Sequence, residues 1–355
     1  MQDFNEFFNK KLKERLDNDQ LRELDDYNHL ADYSSNDFLG IANEYNSGAT
    51  GSRLISGNYL ELIDLEDDFA RHVGSENSLY YGAGYLANIG LVSSVADRFT
   101  TIFYDSLIHA SLRDGIRLSL AKSSAFKHND LRHLESLLKK VEGKKLIIVE
   151  SVYSMDGDSP DLSKLFELAS RYNAAVLIDE AHGLGLSGKN NLGKAQQYIS
   201  HSQCMAVIYP LGKAAGLSGA FVACSNLLKS FQVNFSRSFI YTTGPSRILI
   251  SQLKKQLNQL YCHDVSKVFL LKRIFLEQID PEIPLLTGDA GAIVSLVLGS
   301  NTRQIEEDLL ENGFFVKAIL APTVVAGKER LRICFHDFNT LDEVNQLAII
   351  INRSF

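Results

Sequence analysis

Short runs of apolar and β-branched residues at 101–104, 146–149, 176–178 and 205–208 stand between stretches with the apolar spacing of helices. Each run is too short for a helix and lacks a regular polar face, so each predicts a strand covered on both sides. Their alternation with helical patterns from about residue 74 to 243 predicts a mostly parallel sheet with helices on both faces, an α/β fold. Beyond 243 the pattern changes: a long helical stretch is expected over 246–276, strands over 292–298 and 331–335, and helices over 303–311 and 341–351. In the run 331–335, apolar Leu331, Ile333 and Phe335 alternate with Arg332 and Cys334, the two-residue period of a half-buried strand. Near the N-terminus Phe4, Phe7, Phe8, Leu12 and Leu16 recur at helical spacing, which predicts an amphipathic arm packed on this subunit or a neighbour. The expected organisation is an N-terminal arm and helix over 1–45, a large domain over 46–245 and a smaller α+β domain over 246–355.

Composition narrows the function. A chain of 355 residues is long enough for about two domains with a sizeable core, and with only 6 prolines and no proline-rich linker those domains are interleaved or tightly docked. A net charge of -7 argues against a partner bound by phosphate neutralisation, so neither nucleic acid nor an anionic membrane is expected. Cys204, Cys224, Cys262 and Cys334 form no Cys-x-x-Cys pair and read as free thiols of a reducing compartment. The first residues mix both charge signs without an apolar stretch, so neither a signal peptide nor a membrane span is expected and the cytoplasm is the expected location.

Ligands of open parallel sheets bind beyond the carboxyl ends of the strands, so the polar residues that follow each run are the candidates. The run 101–104 leads to Asp105 and His109, and 146–149 leads to Glu150, Ser151 and Ser154. The run 176–178 leads to Asp179 and His182, and 205–208 to Lys213 in PLGKAAG. Carboxylate, imidazole, hydroxyl and amine are thus expected at one rim. Gly48, Gly51 and Gly57 are expected at turns that need positive φ.

Several chemistries fail on spacing. A phosphate loop ending at Gly212 and Lys213 would need glycine at Val207 and Ser or Thr at Ala214. Asp179 and His182 lack a third ligand at metal-binding spacing, so no metal is expected. Ser218 in GLSGA lacks the final glycine of a nucleophile elbow, where Ala220 stands. A lysine in a small-residue loop, with an aspartate ending a neighbouring buried strand, instead suggests pyridoxal 5'-phosphate. The amine forms a Schiff base with the aldehyde, and the carboxylate keeps the pyridine nitrogen protonated. His109 could cover the ring, Ser154 and His182 could bond its phenolic oxygen, and Gly82, Gly84 and Tyr85 open a helical pattern suited to an anion.

These residues resemble the α-oxoamine synthases, a branch of the fold-type I pyridoxal phosphate enzymes. The matching pieces run through nearly the whole chain in the family's order: YSSNDFLG at 33–40, GATGSRLISG at 48–57, GAGYLAN, HAS at 109–111, HND at 128–130, SVYSMDGD at 151–158, DEAHGLGLSG from Asp179, LGKAAGLSGAFV, FIYTT and APTV with ERLRI. The resemblance implies a fold-type I transferase, with a large cofactor-binding domain around a mostly parallel sheet and a smaller C-terminal α+β domain. It implies decarboxylative condensation of L-alanine with a pimeloyl thioester, carried by coenzyme A or acyl carrier protein, as in the family's biotin-synthesis branch. It assigns Lys213 as the covalent anchor, His109 as the stacking ring, Asp179 to the pyridine nitrogen, and Ser154 with His182 to the phenolic oxygen. Gly84 and Tyr85 match phosphate donors, and Thr242 with Thr243 match hydroxyls that reach a phosphate across a homodimer interface. Asn36 and Arg332 match carboxylate-holding groups, and Thr323 and Arg22 match acyl-substrate contacts.

Three positions depart from the family's pattern. Pro210 stands where a phosphate-binding threonine is usual, Leu320 where some biotin-pathway members carry arginine, and Leu62 where histidine is common. Leu320 keeps open a related synthase that uses glycine, serine or another acyl chain. Pro210 keeps open a catalytically silent interaction protein of the same fold.

Overall fold

The computed structural model describes residues 1–26, 32–39, 42 and 48–355; Gly40 of the YSSNDFLG motif lies outside the described residues. Contacts divide the chain into two units, residues 1–151 with 160–262, and residues 152–159 with 263–355.

The first unit opens with helix α1, Gln2–Asp17. It is the amphipathic arm: Phe4 and Phe8 are buried, and the Phe8 ring lies 4.4 Å from that of Phe231. Helix α2, Leu60–Val73, buries Leu62, Leu65, Phe69 and Val73 along one stripe and ends at Gly74, whose φ of 80° is a left-handed cap. Leu62 is a wholly buried core residue, which gives its departure from the family pattern a packing reason. There follow β1 (Asn77–Tyr81), α3 (Gly84–Val95), β2 (Thr100–Asp105), α4 (Ala110–Leu118), β3 (Lys122–Phe126), α5 (Leu131–Leu138) and β4 (Lys144–Glu150). After α6 (Leu162–Arg171) come β5 (Ala174–Asp179), β6 (Cys204–Pro210), β7 (Ala220–Cys224), α7 (Asn226–Phe235), α8 (Arg237–Ile240) and α9 (Arg247–Cys262).

All seven strands join one sheet in the order β1-β7-β6-β5-β4-β2-β3. The pairs β6–β5, β5–β4, β4–β2 and β2–β3 are parallel, whereas β7 runs antiparallel to both its neighbours. The four runs read as strands in the sequence are β2, β4, β5 and β6, and every residue of β5 is buried. Parallel pairing aligns their carboxyl ends, so Asp105, Glu150 and Asp179 finish neighbouring strands at one rim.

The second unit contains α10 (Ser266–Gln278), β8 (Leu285–Thr287), β9 (Ile293–Val297), α11 (Thr302–Glu311), β10 (Lys317–Ile319), β11 (Arg330–Cys334) and α12 (Leu341–Ser354). Its strands form an antiparallel sheet in the order β10-β11-β9-β8. The expected single helix over 246–276 is two helices, because the chain breaks after Cys262 and the Asp264 carboxylate accepts from the Ser266 amide and hydroxyl, restarting the helix. The division also falls after Cys262 rather than near Ser246, since α9 buries Ile250, Leu253 and Leu257 in the first unit's core.

Residues 152–159 join the second unit through side chains on one face of its sheet. Arg332 Nε donates to the Ser154 carbonyl at 2.5 Å, the Ser295 hydroxyl to the Met155 carbonyl at 2.5 Å, and Arg330 pairs with the Asp156 carboxylate. Arg330 and Arg332 share a face of β11, and Ser295 is the β9 partner of Arg332. Gly157 allows the close approach: at φ 70° its added Cβ would stand 2.7 Å from the Ile293 carbonyl oxygen.

Candidate active site

The rim residues of the first unit form a hydrogen-bonded line from Asp179 to His109 and a separate Lys213–His182 pair. Asp179, 3% exposed, accepts from Asn88 Nδ2 at 2.8 Å and from the Ala181 amide at 2.8 Å. Asn88 Nδ2 also donates to Ser111 Oγ at 2.9 Å, and Ser111 Oγ lies 2.7 Å from His109 Nδ1. His109 caps α4, so its ring is set at the helix start and lies exposed, with Tyr85 edge-on at 6.4 Å between centroids. Past β6 the backbone folds into a loop closed by Leu211 N–H to Gly219 O and Gly216 N–H to Lys213 O. That loop presents Lys213, whose Nζ lies 2.8 Å from His182 Nε2.

Two further carboxyl groups surround this line. Glu150 accepts the His109 amide, and burial first, then the charge of Asp179, pushes its carboxyl up to about 8. Glu180 accepts from the Ser151 hydroxyl and the Ala195 amide, and burial pushes its carboxyl up to about 7.

The start of α3 is an anion site in form. Its N-cap, Ala83, has no side chain to cap the first amides, and a Cβ at Gly82 would meet open space. A Cβ at Gly84 would lie 2.8 Å from Pro210 Cβ, so glycine is needed where the end of β6 approaches the helix. The proline thus fills the place of the usual hydroxyl with a ring packed toward Gly84. Tyr85 follows in the first turn and its hydroxyl bonds the Asp114 carboxylate.

The glycine-rich segment around residues 48–57 is held from below. Arg53, buried, donates to Asn58 Oδ1 at 2.8 Å and to Glu66, which also accepts the Tyr80 amide of β1. None of Gly48, Gly51 and Gly57 has positive φ; a Cβ at Gly57 would collide with the Gly51 carbonyl, so close approach, not a turn, requires glycine there. The segment bridges Thr243 through Ser52 and receives the Gly244 amide at Gly51 O. Thr243 is exposed, whereas the Thr242 hydroxyl donates to the Ser238 carbonyl at 2.6 Å. Asn36 is exposed and bonds the Thr50 carbonyl, and Arg22 is tied by backbone and guanidinium to Asn234 of α7.

In the second unit Arg332 carries Ser154 with it through the bond to the Ser154 carbonyl, and its Nη1 lies 3.1 Å from Cys334 Sγ. Thr323 is exposed beyond β10. The structure therefore brings Lys213, His182, Asp179 and His109 into one unit and joins Arg332 to Ser154 in the other. Sequence reading missed Asn88, the link between Ser111 and Asp179; its signal was a lone asparagine in the otherwise apolar run LANIGLV.

This set of residues fits pyridoxal phosphate. Asp179 is buried and hydrogen-bonded yet forms no ion pair among the described residues, so a protonated ring nitrogen would supply the missing positive charge. An amine, an exposed flat imidazole and an uncapped helix start complete the chemistry such a group needs.

A model of the family described as aminotransferase class I and II matches residues 28–346. The 8-amino-7-oxononanoate synthase of Lysinibacillus sphaericus is 34% identical over 343 residues, covering 90% of this chain and 87% of that protein. The crystal structure of 8-amino-7-oxononanoate synthase from Francisella tularensis matches with a TM-score of 0.77 at 29% identity, covering 89% of this chain and 92% of that one. Serine palmitoyltransferase of Sphingomonas wittichii matches with a TM-score of 0.81 at 25% identity, over 88% and 80% of the two chains.

Proposed function

We infer the reaction from kinship and site together: this chain belongs to the aminotransferase class I and II family and has the fold-type I transferase architecture that its sequence implied. The proposed activity is the pyridoxal-phosphate-dependent, decarboxylative condensation of L-alanine with a pimeloyl thioester to give 8-amino-7-oxononanoate. The observation that carries this reading is the Lys213–His182 contact in the same unit as buried, hydrogen-bonded Asp179, in a chain whose relatives bear that synthase's name over nine-tenths of its length.

When bound, pyridoxal phosphate supplies an electron sink that lets a bond at the amino acid's Cα break heterolytically. Lys213 would hold the cofactor through its side-chain amine, and the same amine is the group placed to take the Cα proton. His182 Nε2, at 2.8 Å, orients that amine. Asp179 holds the proton on the ring nitrogen, and the Asn88–Ser111–His109 line fixes the carboxylate and the covering ring relative to each other. Arg332 offers the carboxylate a planar fork whose Nη2 no other described residue engages, since Nε and Nη1 go to Ser154 O and Cys334 Sγ. Asn36 is proposed to share that carboxylate, and Thr323 and Arg22 to meet the acyl chain.

A homodimer is part of the proposal. The bonded segments around Asn36, Gly51 and Thr243 carry exposed Tyr33, Phe38, Ile55 and Tyr241, which supports burial against a second copy and leaves Thr243 free to reach its phosphate. No helix among the described residues is long and apolar enough to cross a membrane, and the proposed location is the cytoplasm.

The test is turnover by purified chain loaded with pyridoxal phosphate. Release of thiol and carbon dioxide with L-alanine and pimeloyl thioester, at least tenfold faster than with glycine or serine, is expected. Faster turnover with glycine or serine would replace this reading with a sister synthase.

A further inference from the structure

Glu150 ends β4 and Asp179 ends β5, and the two are register partners in a parallel pair. Register partners project on the same face, so two carboxyl groups are set side by side. Both are nearly fully buried, at 2% and 3% exposure, and neither forms an ion pair among the described residues. Two such neighbours cannot both hold full charge in a buried site without a large electrostatic cost.

The surroundings decide which one keeps the charge. Asp179 receives two neutral donors, Asn88 Nδ2 and the Ala181 amide, both at 2.8 Å. Glu150 receives one, the His109 amide, at 2.5 Å. The other charged groups that act on Glu150 are Lys213, which opposes protonation, and Asp105, which favours it. Asp105 is itself 2.9 Å from His128 Nδ1, and the His109 ring is turned to Ser111.

We infer that Glu150 is a positioning residue of this site: its carboxyl fixes the backbone of His109 and carries a proton at neutral pH, leaving Asp179 the lone negative charge of the cross-strand pair. One oxygen accepts the His109 amide and the proton resides on the other. Ionised, Glu150 would place a second negative charge beside the ring-nitrogen partner and draw the Lys213 ammonium toward itself. The raised proton affinity given by burial and by Asp179 has the same direction.

This inference rests on the reading of Asp179 and His109 as cofactor partners, but not on which amino acid is used. Infrared difference spectra of the full chain between neutral and alkaline pH are expected to show a protonated-carboxyl stretch that vanishes as pH rises through about 8, above the loss of the Glu180 proton at about 7. That band is expected to be missing in Glu150→Gln. Glu150→Ala, which frees the His109 amide, is expected to lower kcat by tenfold or more, and Glu150→Gln, which keeps an acceptor and no charge, to recover most of that loss at neutral pH. The rate–pH profile of Glu150→Gln should also lack any limb near pH 8 that the unsubstituted enzyme has. A band unaffected by Glu150→Gln, or a Gln variant as slow as the Ala variant at neutral pH, overturns the inference. If the band behaves as expected while alanine is not turned over, the substrate reading fails and this one stands.

Discussion

Replacing Glu180 by glutamine tests how the interior under the rim is held. The carboxyl is completely buried, accepts from the Ser151 hydroxyl and the Ala195 amide, and is so enclosed that a Cβ at Gly183 or Gly193 would collide with it. Burial raises its proton affinity most, the two hydrogen bonds oppose that, and the charge of Asp179 adds to it, leaving the group at about 7 against an ordinary 4.5. Because the folded value is the higher one, the group's stabilising contribution is complete below about 4.5 and is lost as pH rises through about 7. The full difference corresponds to about 3 kcal/mol, reached by pH 8.5; at pH 5.5 only about 1 kcal/mol has been lost. Glutamine fits the same cage, donates to Ser151 and accepts from Ala195 without a proton to release. Its stability relative to the unsubstituted protein should therefore rise by about 2 kcal/mol between pH 5.5 and pH 8.5. Urea unfolding followed by circular dichroism across that range measures it. A difference that stays flat with pH, or that falls, would refute an ionisable, burial-strained Glu180.

Pro210→Thr restores a hydroxyl beside the start of α3 and should tighten pyridoxal phosphate binding by about 1.5–3 kcal/mol, roughly ten- to a hundredfold, by equilibrium dialysis. Unchanged affinity would mean that other donors already saturate the phosphate. Lys213→Ala should leave the protein folded but abolish borohydride-dependent labelling of the 211–217 peptide, read by mass analysis. Arg332→Lys replaces the planar fork and loses the hold on Ser154 O, so KM for the amino acid should rise about tenfold or more with a smaller change in kcat; equal loss in both would point to a role beyond carboxylate binding.

Much of the large unit was legible because its strands carry an unambiguous signal. The runs that became β2, β4, β5 and β6 are continuous apolar stretches bounded by polar residues, and parallel pairing then aligns whatever follows them. That rule singles out Lys213, Asp179, His109 and His182 as candidates, and all four lie in the first unit. The three-residue strands β8 and β10 were not, since so few positions establish no period. Asn88 was missed because its role depends on α3 packing beside α4, a tertiary fact, and the joint between α9 and α10 because apolar residues keep helical spacing on both sides of a break made by one aspartate. Nothing local in SVYSMDGD and the serine after it announces that residues 152–159 belong with the C-terminal unit; that follows only from Arg330, Arg332 and Ser295 far along the chain.

That last attachment has a consequence for how the protein is made. A ribosome delivers residues 152–159 well before Ser295, Arg330 and Arg332, so the bonds that these three side chains make to the Met155 and Ser154 carbonyls and to Asp156 form only after α6 through α9 have been synthesised. The second unit therefore completes its assembly only once the C-terminal strands have been made, and a chain cut short after Cys262 would lack every one of those three bonds.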